Sequence, residues 1–376
     1  MIIVKHNKYT ALNGGEILMN MDWILKCIAD YEILVEFDNI ESKEERQEVH
    51  GFEEQTNLRC MFCGKPFKNW GKKDVAHAIS ECLGNKKLIN LAECYECNHL
   101  FGEIAENHLG KFIMPYRIVN EVYGKGKYKN VIKDMPRDKN LSYEKYRYEQ
   151  RKNVPVFSSE TIDVYNMLIE RAGTGRLKRT ENGIRLSIPR QNYEPRLVYV
   201  SLLKIAYTLL PCNELAHYIK GLLAIYLNMS NKPYYDEKGK AITEALTEVD
   251  RQKYIQGLPD LGMEITISSK SIPNGVNVCL LKRIKKEKIE PKLLLAIQMK
   301  WHTIVIPILS DNYVAGETCN FNLNSIDNIT FRKLCFSKIE EEFICDMSAD
   351  VIEIPKELYK QLEEDLKNSC LLRKDE

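Results

Sequence analysis

Apolar positions along this chain fall in short blocks whose spacing changes several times. The run MDWILKCIADYEILVEFD from Met21 to Asp38 predicts a short helix followed by a strand, a run too short for its period alone to separate the two. The charged stretch Glu41–Glu54 reads as a solvated helix or linker. Strands are predicted at Val154–Phe157 and at Gly183–Pro189, the second after a Glu-Asn-Gly turn signal. Past Pro195, Leu202, Leu203, Ile205, Ala206, Leu209 and Leu210 share one helical face that stops near Pro211. Asn213 can cap a second helix, Glu214–Leu227. Met263–Ser268, Val276–Lys282 and Leu293–Leu309 are β-rich, and the last is long enough for two strands broken near Lys300-Trp301. Val351–Ile354 predicts a further strand, and Pro355–Leu371 a closing helix with proline in its first turn. The fold class expected is α+β. Four parts are expected: a segment 1–55, a cysteine-rich module 56–118, a basic tyrosine-rich connector 119–192 and a separate α+β domain 193–376.

Composition narrows the class without choosing a function. The chain has 376 residues, 44% hydrophobic and 28% charged, with a formal net charge of +1, so local charge says more than the total. No window approaches the ~18 uninterrupted apolar residues of a membrane span, and Met1–Gly15 lacks the apolar core of a secretory signal. A cytoplasmic, thiol-reducing location is the expectation, which makes the twelve cysteines free thiols and metal ligands rather than a disulfide framework. Gly14-Gly15-Glu16 can be encoded by purine-rich codons resembling a ribosome-binding site, which places the expected start of translation at Met19 or Met21. Between Lys125 and Lys152, ten lysines and arginines interleave with Tyr123, Tyr128, Tyr143, Tyr146 and Tyr148. Such a stretch is either a solvated connector or an arm that tracks phosphates and stacks on bases.

The concentrated chemistry lies earlier. Cys60-Met-Phe-Cys63 and Cys94-Tyr-Glu-Cys97 are two C-x2-C knuckles thirty residues apart. Each aims two thiolates at one point, and together they complete a tetrahedral four-sulfur zinc site. A redox dithiol needs only one pair and a βαβ setting that is missing here. A closed four-cysteine zinc is structural, so reactivity has to come from the residues between and after the knuckles.

Those residues read Asp74-Val-Ala-His77-Ala-Ile-Ser, then Leu83-Gly-Asn85, Asn90, and Cys97-Asn98-His99-Leu-Phe-Gly102 with Glu103 and Glu106. This order of histidine, glycine-bearing turn, second knuckle and helix-borne asparagine resembles the HNH endonucleases. It resembles most those in which asparagine replaces the last histidine, such as phage resolvases of the endonuclease VII type. The tail CNHLFGEIAENHL is similar to the C-N-x2-F-G-x3-E-x2-L ending of one zinc-bearing HNH subfamily. The resemblance covers roughly fifty residues and implies a ββα-metal fold, a β-hairpin and a helix clasping a catalytic metal. It implies a metal-dependent endonuclease that hydrolyses phosphodiester bonds, most naturally in DNA. His77 takes the place of the general base, and Asn98 that of a ligand to catalytic Mg²⁺ or Mn²⁺, with a helix N-cap as its alternative role. Asn85 or Asn90 supplies the middle asparagine that orients the histidine and its loop, and Asn85 is preferred because it sits in the turn. Glu106, two turns along the helix and within about 80° of Asn98, reads as support for the site or a phosphate-side group, with a surface ion pair as the alternative. His99 and His108 match no motif position. Arg190–Pro195 and the adjoining LVYVSLLKIAYTLLP resemble the segment behind the HNH module in related bacterial proteins.

One departure cuts against activity. Many HNH enzymes carry a metal-binding Asp, Glu or His just before the general base, and here that position is Ala76. Asp74 shares its strand face and is a candidate substitute, displaced by about 6–7 Å of strand rise. The rival expectation is a zinc-stapled nucleic-acid-binding or regulatory protein whose nuclease chemistry has lapsed. The tail has no glycine-rich phosphate loop, no G-x-S-x-G and no H-E-x-x-H, so it reads as a recognition, sensing or oligomerisation part.

Overall fold

The computed structural model describes residues 22–28, 30–41, 47–49, 59–67, 75–120, 122, 148–151, 154–157, 177–180, 183–188, 193–230, 234–235, 241–242, 262–267, 275–284, 291–299, 302–308, 330–335 and 350–355. The chain mixes helix and strand around an antiparallel sheet, an α+β fold. By their contacts the residues form two compact units, 1–110 with 193–343, and 111–192 with 344–376. The knuckles and the strands between residues 260 and 340 thus share a unit, although the sequence suggests a boundary at 193.

The first unit opens with helix α1 (Asp22–Cys27) and strand β1 (Tyr31–Phe37), as the sequence predicts. Asp30 makes the turn between them at a left-handed φ of 72°. Strand β2 (Gln47–Val49) lies within the stretch expected to be helix or linker, and it runs parallel to β3 (Leu88–Asn90). Pairing with a distant strand, which no local period reports, decides that segment. Helix α2 (Tyr95–Phe101) passes through a wide π-turn at Gly102–Glu106 into α3 (Asn107–Asn120). Strands β4 (Tyr148–Arg151), β5 (Val154–Phe157), β6 (Leu177–Thr180) and β7 (Gly183–Ile188) belong to the second unit.

Helix α4 runs from Pro195 to Leu209, with proline in its first turn. The sequence predicts one apolar face, yet every residue from Val198 to Leu209 is buried, Ser201, Lys204 and Thr208 included. It is a core helix, covered all round. The predicted helix Glu214–Leu227 is instead broken into α5 (Cys212–Leu215), a 3-10 turn and α6 (Ile219–Met229). Asn213 lies inside the short helix α5 rather than before a long one.

After the short pair β8 (Tyr234–Tyr235) and β9 (Ala241–Ile242) come β10 (Gly262–Ile267), β11 (Asn277–Arg283), β12 (Leu293–Gln298), β13 (His302–Ile308) and β14 (Thr330–Cys335). The order β1-β11-β12-β13-β10-β14 is antiparallel throughout, so a strand from the start of the chain closes one edge of a sheet made near its end. Strands β12 and β13 part near Lys300-Trp301 as predicted, and the Met299 N–H donates to the His302 carbonyl (2.7 Å). Every residue of β12 and β13 is buried, which gives near-continuous apolar runs rather than alternation. On one face Ile24, Cys27 and Ile28 of the α1 region pack with Cys279, Leu281, Leu294, Ala296 and Val305. Strand β15 (Asp350–Pro355) pairs with β7 in the second unit. The closing helix expected after Pro355, most of the basic connector, Met19 and Met21 lie outside the described residues. Among the described residues, no helix is long and apolar enough to cross a membrane.

His302 is fully buried, and burial pushes its imidazole from the ordinary 6.5 down to about 3. A histidine held neutral by the fold contributes its full stability above the unfolded value and loses it as pH falls toward the folded one. Acid is therefore expected to destabilise the sheet progressively between pH 6.5 and 3 through this residue. Urea midpoints across that range for wild type and His302→Leu check it; two parallel profiles would overturn the assignment.

Candidate active site and metal centre

The zinc site is built from local turns. The Gly64 N–H donates to the Cys60 carbonyl (2.8 Å), closing the first knuckle. Gly64 adopts φ 70°, a conformation that suits glycine and disfavours larger side chains. The Met61 N–H donates to the Ala92 carbonyl (2.7 Å), so the first knuckle is tied to the turn that leads into the second. Phe62 lies against Phe101 of α2 with ring centroids 4.7 Å apart. The four cysteines are buried, and their Sγ atoms all lie within 4.8 Å of one another.

The Cys63–Cys94 Sγ separation is 3.7 Å. That is far beyond a disulfide of about 2.05 Å and close to the ~3.8 Å edge of a tetrahedron with zinc–sulfur bonds of about 2.3 Å. The Cys94 N–H also donates to the Cys60 sulfur (3.4 Å), the kind of support a thiolate ligand needs. Hydrogen bonding from Cys60 first, and from the other two thiols, pulls Cys63 well below the usual thiol range. Burial pushes Cys60 up, and hydrogen bonding to the same neighbours pushes up Cys97. Four thiolates cannot share so small a volume without a cation. The donor set and its spacing fit a structural zinc ion.

Beside the zinc site stands a hairpin. His77 bridges antiparallel to Ile89, with Ala78 N–H to Leu88 carbonyl (3.1 Å) and Asn90 N–H to Ala76 carbonyl (2.8 Å). The intervening loop holds a 3-10 turn at Glu81–Leu83, capped by the Ser80 side chain and ended by Gly84 at φ 85°. Asn85 closes the loop. Its Nδ2 donates to the carbonyls of Ile79 (2.8 Å) and Leu88 (2.9 Å). Its Oδ1 accepts from the N–H groups of Lys87 (3.1 Å) and Leu88 (2.9 Å). Two donors and two acceptor positions are then all used, so Asn85 shapes the loop and has nothing left for a substrate. These four bonds hold the loop closed, within the part of the hairpin that the sequence reading has Asn85 orient. Asn90, the other candidate, accepts from the Ala92 N–H (2.9 Å) and donates to Glu93 (3.3 Å), which fixes the turn before the second knuckle.

His77 is partly exposed. Its Nε2 lies 3.2 Å from Glu81 Oε1, while Nδ1 is buried with no hydrogen-bond partner among the described residues. A proton on Nε2 facing the carboxylate leaves the buried Nδ1 as the unprotonated ring nitrogen. The motif does not single out Glu81, although its i,i+4 spacing from His77 is visible in the sequence. Ala76 is wholly buried, so the position just before His77 holds a methyl group in the core.

On the helix, Asn98 is half-buried and its N–H donates to the Cys94 carbonyl (2.9 Å). It lies within α2, not at its N-cap, which Cys94 occupies. The π-turn then takes up one residue more than an α-turn and rotates α3 back by about 100°. Glu106, about 80° from Asn98 in an unbroken helix, comes to lie within about 20° of it. Glu106 is no surface ion pair: its Oε1 lies 2.8 Å from Lys204 Nζ of α4. The ammonium also lies 2.9 Å from Glu93 Oε1 and 5.0 Å from the centroid of the Phe101 ring. Burial works against the Glu106 carboxylate, but Lys204, a Ser80 hydrogen bond and nearby His77 together hold its pKa below the ordinary value. Glu93 bears the excess: one ammonium cannot neutralise two carboxylates, and burial pushes its pKa up to about 7.

The remaining positions are peripheral. His99 pairs with Glu103 on the exposed side of the helix (3.4 Å). His108 Nδ1 accepts the Glu194 N–H (2.7 Å) just before α4 begins. Asp74 lies outside the described residues. Among the described residues, only the four cysteines converge as a group of three or more His, Cys, Asp or Glu side chains able to hold a metal ion. Among the described residues, no second group of three or more such side chains lies beside Asn98. No family model matches this chain, and no curated protein or solved structure matches it significantly.

Proposed function

We propose that the chain is an HNH-type endonuclease whose ββα centre consists of the His77 hairpin, β3 and α2, stapled by a structural zinc at Cys60, Cys63, Cys94 and Cys97. The observation that carries this reading is His77 itself. It bridges to Ile89 across the hairpin, with Nε2 facing Glu81 and Nδ1 without a partner among the described residues, beside a helix fixed by the second knuckle. In the reaction, the His77 imidazole takes a proton from water and the oxygen attacks phosphorus. The bond from phosphorus to the 3′ oxygen breaks, and that oxygen picks up a proton from solvent. Glu81 fixes the imidazole and favours the imidazolium that forms. Asn98 is the residue that would face a catalytic Mg²⁺ or Mn²⁺, and such an ion would stabilise the leaving oxygen when bound. The substrate is nucleic acid, DNA by preference.

A plasmid-nicking assay with Mg²⁺, with Mn²⁺ and with EDTA tests the reading; nicking is expected with a metal and not with chelator. No cleavage of single- or double-stranded DNA or of RNA, with zinc bound and the fold intact, would overturn it. Glu81→Gln is expected to slow nicking by about 10–100-fold, as loss of an orienting partner does elsewhere; an unchanged rate would remove Glu81 from the mechanism. The second reading, a nucleic-acid-binding protein without cleavage, is favoured by the buried Ala76 and by the lack of a second ligand group among the described residues.

A further inference from the structure

We propose that Lys204, from the helix beyond residue 193, is a positioning residue of the candidate nuclease centre, holding Glu106 against the His77 hairpin. This rests on the nuclease reading above and extends it beyond the motif. The ammonium is 2% exposed and lies 2.8 Å from Glu106 Oε1 and 2.9 Å from Glu93 Oε1. A buried lysine is costly unless its charge is matched and its donors are used. Here two carboxylates and the Phe101 ring surround it, so its position is tightly specified. Glu106 in turn accepts from Ser80 and acts electrostatically on His77. Ser80 caps the turn carrying Glu81. A single ammonium from α4 thus fixes a carboxylate that reaches the hairpin loop at Ser80.

The geometry around this contact points the same way. The π-turn rotates Glu106 toward the azimuth of Asn98, and α4 packs on that same turn. A wide turn inside a helix is a local cost that is retained where it aims a side chain. Glu93 provides the second wall: it is wholly buried and held by Asn90, which also fixes the approach to the second knuckle. Its role is to seat Lys204; Glu106 is the member that touches the hairpin. Negative charge held beside His77 stabilises the imidazolium formed when the base takes its proton, which raises kcat and leaves nucleic-acid binding unaffected.

Lys204→Met alone strands two carboxylates in the core, and failure to fold would be an ambiguous result. The informative variant is Lys204→Met combined with Glu93→Gln. It removes one charge of each sign, leaves Glu106 in place, and puts similar volumes in the core. With the full chain and plasmid DNA, this double variant is expected to stay folded with one zinc at a lowered melting temperature and an unchanged KM, while kcat falls at least tenfold. Glu106→Gln is expected to give a similar fall, and the two changes combined no more than either, because both act through one carboxylate. Wild-type kcat in the folded double variant would overturn the proposal, as would fully multiplicative losses. Failure of the nuclease reading has a different signature: wild type then nicks nothing, or His77→Ala nicks as well as wild type.

Discussion

Alanine in place of His77 is expected to abolish metal-dependent nicking while the protein stays folded and zinc-bound. The imidazole is partly exposed, and among the described residues its ring pairs with Glu81 through Nε2. Removing it leaves no large cavity and strands no buried charge, so stability should change little. The backbone bonds that set the hairpin, from Ala78 and Asn90, remain. General-base catalysis contributes about 10²–10⁴-fold, and a loss of that size is the expected result. Single-turnover nicking beside a thermal melt measures both. Cleavage retained within threefold or so of wild type would remove His77 from the mechanism and favour the binding protein.

The largest effect on stability is expected from removing zinc. The four sulfurs lie within 4.8 Å of one another and are buried. Without a cation they repel as thiolates or hold protons in a dry site. Structural zinc sites bind with apparent free energies of about 10–16 kcal/mol, comparable with the ~5–15 kcal/mol that holds a typical domain together. Cys94→Ser, or a strong chelator, is therefore expected to unfold the knuckles, the hairpin loop and the start of α2. The same region anchors the Met61–Ala92 contact and the Cys63 carbonyl that accepts from the Tyr235 N–H (2.8 Å), so the damage should spread beyond the four ligands. Zinc stoichiometry by elemental analysis should give one ion per chain, and circular dichroism should lose helix on chelation. A metal-free protein with an unchanged melt would overturn the structural role.

Much of the metal site is legible in the sequence because its logic is local. Two residues between each pair of cysteines are enough to aim both thiols at one point, whatever surrounds them. The β12–β13 break near Lys300-Trp301 and the α1–β1 pair are legible for a similar reason, since turn chemistry and short-range period set them. The helix expected over Glu214–Leu227 differs because the pattern of apolar residues continues where the backbone breaks at the 3-10 turn Ala216–Tyr218. Strand β2 escapes a sequence reading because a short charged stretch becomes a strand only by pairing with β3. Glu106 is found by its motif position, but its buried setting is not, since its partner is 98 residues away.

Lys204 shows most sharply where sequence reasoning stops. In the run VSLLKIAYTLLP a lone lysine reads as the polar edge of an amphipathic helix. Only the packing of α4 against the π-turn makes it the cation between Glu93 and Glu106. By itself the sequence determined the zinc ligands, the order of the hairpin and helix elements, and His77 as the base to examine. Tertiary structure decided that Glu81 lies beside His77, that Asn85 is consumed by its loop, and that Lys204 of a helix beyond residue 193 reaches Glu93 and Glu106. The division comes from range: spacing along the chain fixes contacts within a turn or two, whereas a buried charge finds its partners only when distant segments close around it.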